Sequence, residues 1–116
     1  MRAALLFLAL FPAILVAQES NPDELFKHAI DAQQHGDFLA AIHDYRRVLE
    51  LRPADTQAKV NLGAALAHVG QFDDAIAMYL SALTSSGDKN PVLLNLALAY
   101  RAKGDFENAR QHGGKR

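Results

Sequence analysis

The chain contains no cysteine. Disulfides are therefore excluded even in an oxidising compartment, stability has to come from packing, and a lipid-modified cysteine of the bacterial lipoprotein kind has nowhere to form. Tryptophan is absent and aromatics are sparse, while alanine and leucine dominate, a balance that favours closely packed helices over sheets. No charge of one sign prevails. Lys and Arg number 12 against 13 Asp and Glu, interspersed, so there is no footprint for a phosphate backbone or an anionic lipid surface, and nucleic acid is not an expected partner. A hydrophobic run long enough for a bilayer is missing as well: the uninterrupted stretch from Ala3 to Ala17 is fifteen residues with Pro12 inside it, against the roughly 20 that a membrane core requires. A chain of 116 residues holds one small domain or a short stack of units.

What is present at the start is a secretory pattern. Arg2 precedes the apolar run, and Ala17 supplies a small residue before a cut, although Leu15 stands where a second small residue is preferred. Residues 1–17 are expected to be a signal peptide and 18–21 a short linker. The product is then periplasmic or secreted from a bacterium-like cell; the alternative is a membrane-anchored protein that keeps the segment uncleaved. Removing Arg2 with the leader takes the net charge from −1 to −2, which alters none of these exclusions.

From Pro22 onward apolar residues return at intervals of three and four, with breaks near Gly36, Pro53, Gly70, Gly87 and Gly104. The spacing predicts five helices of about a dozen residues. Asn21, Asp55 and Asn90 each place a side-chain acceptor where the first free N–H groups of a helix need one. Gly36, Gly70 and Gly104 suit the left-handed turn that ends the first helix of a pair. After each comes Phe38, Phe72 or Phe106, and three residues later Ala41, Ala75 or Ala109, on the same helix face. A ring followed by a methyl-sized side chain lets the second helix approach the first closely. Ile42 and Tyr45, like Ile76 and Tyr79, extend the stripe. A helix pair of this kind buries its second face only against a copy of itself, so repetition closes the core.

The period of 34 and these residues resemble the tetratricopeptide repeat family. Leu62, Gly63, Leu66, Gly70, Phe72, Ala75, Tyr79 and Ala82 stand at its signature places in the second copy, and Ala29, Gly36, Phe38, Ala41, Tyr45 and Pro53 in the first, where His28 replaces the usual leucine. The third copy has Leu93, Leu96, Ala97, Tyr100, Gly104, Phe106 and Ala109. The resemblance implies an all-α fold, a right-handed α-solenoid of antiparallel helix pairs, with repeats at 22–55 and 56–89, a partial repeat at 90–110 and a polar tail at 111–116.

It also implies a non-enzymatic scaffold or adaptor that binds a peptide segment or partner helix along a concave groove. The inward places are Phe26, Lys27, Ile30 and Gln33 in the first repeat. They are Val60, Asn61, Ala64 and His68 in the second, and Leu94, Asn95, Leu98 and Arg101 in the third. Asn61 and Asn95, 34 apart, form a short amide ladder for a peptide backbone, or are surface residues that coincide by repeat descent. Only Lys27 and Arg101 supply positive charge there, and Ile30, Pro91 and Asn95 depart from the family variant that grips a terminal carboxylate. An apolar, amide-bonding groove is expected.

Two rival roles remain open: the docking arm of a longer exported enzyme or envelope-assembly factor, and a structural module that assembles on itself through the unfinished third copy.

No chemistry is visible. His28 and His35 are seven apart, about 10.5 Å along a helix and too far for one ion, and His43 falls on the next helix facing outward. Ser81, Ser85 and Ser86 have no strand-to-helix elbow around them. Neither a metal nor any other cofactor is expected. Arg46, Arg47 and Arg52 are most simply a solvated outer face, with a partner contact as the alternative.

Overall fold

A computed structural model of the protein describes residues 21–85 and 87–112, with side chains described over 21–85 and 87–107. The expected signal peptide at 1–17, the linker before Asn21 and the tail from 113 lie outside the described residues.

Five helices follow one another: α1 (Pro22–Gln34), α2 (Phe38–Leu51), α3 (Thr56–His68), α4 (Phe72–Leu83) and α5 (Asn90–His112). Asn21 caps α1, its side-chain oxygen accepting from the Asp23 and Glu24 N–H groups at 2.9 and 3.4 Å, with Pro22 as the first helical residue. Asp55 does the same for the Ala58 N–H at 3.0 Å. Asp37, which has no special look in the sequence, caps α2 through the Ala40 N–H at 3.2 Å. At α5 the expected cap moves. Asn90 is already helical, and its own N–H is taken by the Asp88 carboxylate at 3.1 Å.

The two hairpin turns share one construction. Gly36 and Gly70 adopt φ of 80° and 81°. In the first, the Asp37 N–H returns to the Ala32 carbonyl and the Gly36 N–H to that of Gln33; in the second, the Gln71 N–H reaches Leu66 and the Gly70 N–H reaches Ala67. These paired bonds close the last turn of a helix around a left-handed residue, which glycine adopts without a Cβ penalty.

The third break does not form. Helix α5 runs from Asn90 through Gly104 to His112, and among the described residues positive φ occurs at Gly36 and Gly70 alone. Folding back after Gly36 buries Ala41, Ile42 and Tyr45, and after Gly70 it buries Ala75, Ile76 and Tyr79. After Gly104 the sequence reads Asp105, Phe106, Glu107, Asn108, Ala109, Arg110, and Phe106 stays 58% exposed. Continuing the helix keeps its hydrogen bonds at the cost of about 1 kcal/mol for one interior glycine.

Consecutive helices pack on one another in order, and α3 also touches α5, so the odd-numbered helices share one side of the stack. The core runs through Ala29, Tyr45, Leu62, Leu66, Tyr79 and Leu96, among others, and among the described residues no polar or charged group is buried in it besides the two tyrosine hydroxyls. Gly63 permits the closest approach, since a Cβ there would lie 2.6 Å from Cε1 of Tyr79. Helix α5 buries Val92, Leu96 and Ala99 and is tied to α4 by Lys103, whose ammonium meets Asp73 at 2.6 Å and is held above its ordinary pKa range by that carboxylate. No helix among the described residues is long and apolar enough to cross a membrane.

Candidate functional site

The twelve expected groove residues lie on α1, α3 and α5, and their surroundings are not uniform. Phe26 and Lys27 edge a recess at the α1 end with Arg52 and Gln57. Ile30 and Val60 are half-buried against the core rather than free. Leu94 and Leu98 are 62% and 51% exposed, leaving an apolar strip on α5 with half-buried Asn95 beside it. Lys27 lies 3.9 Å from Glu24 and Arg101 4.0 Å from Asp105, both exposed pairs on their own helices. Each charge has an opposite neighbour at hand, so neither stands as a dedicated anion receptor.

At the first junction, between the hairpin α1–α2 and α3, the groove floor is filled. The Tyr45 hydroxyl donates to Oε1 of Gln33 at 2.7 Å. Burial pushes the Tyr45 phenol above its ordinary pKa, and a hydrogen bond from the Asn61 side chain partly opposes the shift. The His68 ring stacks flat on Phe38, centroids 4.3 Å apart and planes 6° from parallel. Gln33, Asn61 and His68 are thereby all engaged within the protein.

At the second junction, between α3–α4 and α5, the equivalent space is open. Ala64, Ala67, His68, Tyr79, Asn95 and Leu98 are among the residues around a recess of about 320 Å³. Four of the twelve expected residues, Ala64, His68, Asn95 and Leu98, meet here. Tyr79 and Ala67, which sequence reasoning did not place in the groove, supply its floor. Ala67 stands 34 residues after Gln33 and Tyr79 34 after Tyr45, a correspondence that gains meaning only once the Gln33–Tyr45 hydrogen bond is seen. Asn61 and Asn95 are thus not alike: the Asn61 side chain acts on the Tyr45 phenol, while the Asn95 side chain has no hydrogen-bond partner among the described residues.

The remaining singled-out residues sit apart. His35 Nδ1 lies 2.8 Å from the Asp31 carbonyl, His43 lies 3.1 Å from Asp44, and no three His, Asp or Glu side chains converge among the described residues. Ser85 shares a 2.8 Å hydrogen bond with Thr56. Arg52 does not belong with Arg46 and Arg47: it reaches across to Asp23 at 2.8 Å, while Arg47 lies 3.8 Å from Glu50 on its own helix.

A family model described as tetratricopeptide repeat matches residues 26–91 and 69–113. Similar curated proteins include an inactive TPR repeat-containing thioredoxin, TTL3, of Arabidopsis thaliana, 30% identical over 101 residues that make up 86% of this chain and 15% of the relative. The TPR repeat-containing thioredoxin TTL4 of the same plant is 29% identical over 83% of the chain and 14% of its own length. Intraflagellar transport protein 70B of Homo sapiens is 34% identical over half of the chain and 9% of its length. The chain spans about a seventh of the two plant relatives.

Proposed function

Because the chain belongs to the tetratricopeptide repeat family, we propose that it is a non-catalytic interaction module that binds an extended peptide or a helix of a partner protein along the side shared by α1, α3 and α5. The observation that carries this reading is the strip on α5, where Leu94 and Leu98 are exposed beside an Asn95 amide that no protein group occupies. Apolar contact gives area and the amide gives register on a peptide backbone. Selection of random dodecapeptides on the immobilised protein should yield binders whose affinity falls about two- to tenfold in Asn95→Ala, the loss of one net hydrogen bond of roughly 0.5–1.5 kcal/mol. Retained affinity in that variant would move the site to another face, the nearest candidate being the outer recess beside Arg46 and Arg47.

A second reading concerns α5. Gly63 and Leu66 on α3 are buried, whereas their equivalents Ala97 and Tyr100 on α5 are exposed, together with Leu93. Leu93, Ala97 and Tyr100 follow one another at helical spacing on one face, with a small residue in the middle that allows close approach. A second copy of the same helix, crossing about a two-fold axis, meets that face with its own. Export and this self-association are checked together: the product recovered from a bacterial periplasm should begin at Gln18 by intact mass and sediment as a dimer. A product that keeps residues 1–17 in the membrane fraction overturns the export proposal, and a monomer at all concentrations overturns the pairing.

A further inference from the structure

The two junctions differ at several positions; Leu98 stands where the first has Ala64, and at three others the second carries alanine. Ile30, Gln33 and His68 fill the first junction; the residues 34 places later are Ala64, Ala67 and Ala102, and all three border the recess at the second. The phenol that Gln33 serves is nevertheless repeated, and so is the Asn61 amide. Tyr79 keeps the phenol of Tyr45, and Asn95 keeps the amide of Asn61. Tyr79 is 3% exposed, and its hydroxyl has no hydrogen-bond partner among the described residues. That hydroxyl is not sealed in, since no fully buried side-chain oxygen lacks a partner, so it opens toward the recess it borders. A phenol buried to this degree needs an acceptor.

We propose that the recess between α3, α4 and α5 is a specificity pocket for a glutamine side chain of the bound peptide. The inference rests on the groove reading above and deepens it. The chain itself displays the missing occupant. At the first junction the Tyr45 hydroxyl donates to a carboxamide oxygen at the end of an aliphatic stem, that of Gln33. At the second the partner supplies the same group: its carboxamide oxygen accepts from Tyr79, its NH₂ faces the Asn95 carbonyl oxygen, and its methylenes lie against Ala64, Ala67 and Leu98. A glutamate would present two acceptors and a charge to a site whose lining residues include no Lys or Arg, and a leucine would leave the phenol and the amide unpaired, a buried loss that discriminates strongly.

The test titrates ¹⁵N-labelled protein with the N-acetyl methylamides of glutamine, glutamate and leucine. The glutamine probe should shift the Asn95 side-chain amide and the Ala67 and His68 backbone amides saturably, at least fivefold more tightly than the other two. Ala67→Gln installs the carboxamide from within and should weaken the glutamine probe tenfold or more. Tyr79→Phe, which keeps the packing, should weaken it about three- to tenfold without changing the leucine probe, and holds the test open if Ala67→Gln disturbs the helical signal. Equal binding of the three probes, no shift at all, or unchanged affinity in both variants overturns the pocket. The broader reading is judged separately. Dodecapeptides that bind with sensitivity to Asn95→Ala but carry no glutamine preference leave the groove standing and remove the pocket. Glutamine-probe binding with no dodecapeptide retained leaves the pocket and removes the groove.

Discussion

Tyr45→Ala is expected to cost about 3–5 kcal/mol, the range for removing a fully buried large aromatic side chain. Tyr45 is 0% exposed and heads the fully buried side chains by volume. Its ring meets Phe26 edge-on at 5.7 Å, and its hydroxyl ties α2 to α1 through Gln33. The residue thus joins α2 to α1 by packing and by a hydrogen bond at once. A domain of roughly ninety residues has about 5–13 kcal/mol in total, so the variant gives up a large share of it. Tyr45→Phe separates the two contributions: it keeps the ring and loses one hydrogen bond, about 1 kcal/mol. Urea unfolding followed by far-ultraviolet circular dichroism reads both. A loss under 1 kcal/mol for the alanine variant would mean that the first hairpin does not depend on this contact.

The position of Tyr45 in the core was legible in the sequence because it continues a stripe at helical spacing, and the same holds for Ala41, Ala75 and Tyr79. The turns were legible for a different reason. Gly36 and Gly70 precede a full apolar stripe, so local glycine chemistry and the gain from folding back point the same way. At Gly104 they diverge, and the helix continues: a glycine permits a turn, but the burial that follows decides whether one forms. The cap at α5 shifted by a comparable competition, Asp88 standing two residues before Asn90 with the stronger acceptor.

The equivalence of α1, α3 and α5 was legible in the 34-residue period. The internal division of the groove was not. Periodic patterns pick out what the copies share, whereas the engaged Asn61, the unpartnered Asn95 and the recess over Ala67 depend on what differs between them. Gln33 looks like any surface glutamine until its distance to Tyr45 is known, and only then does alanine 34 residues later become informative.

Gly63→Val is the second change expected to be severe, about 2–3 kcal/mol from overpacking. A Cβ on Gly63 would sit 2.6 Å from Cε1 and 2.9 Å from Cζ of Tyr79, a ring that is 3% exposed. The first hairpin shows how much of this can be absorbed. Its equivalent residue is Ala29, fully buried with Tyr45 at the place of Tyr79, so one methyl group fits where the ring and helix stand further apart. Gly63→Ala should therefore change stability by less than about 1 kcal/mol, because the displaced ring is offset by the higher helix propensity of alanine. Valine adds two branches at fixed χ1, which no such shift accommodates. The clash identifies its own remedy: in a Tyr79→Ala background the same valine has room, and the double variant should be at least 1 kcal/mol more stable than the sum of the single losses. Thermal and urea unfolding of the four proteins measure that coupling. Additive losses, or a valine variant as mild as the alanine one, would show that the glycine is not what lets α3 and α4 close on each other.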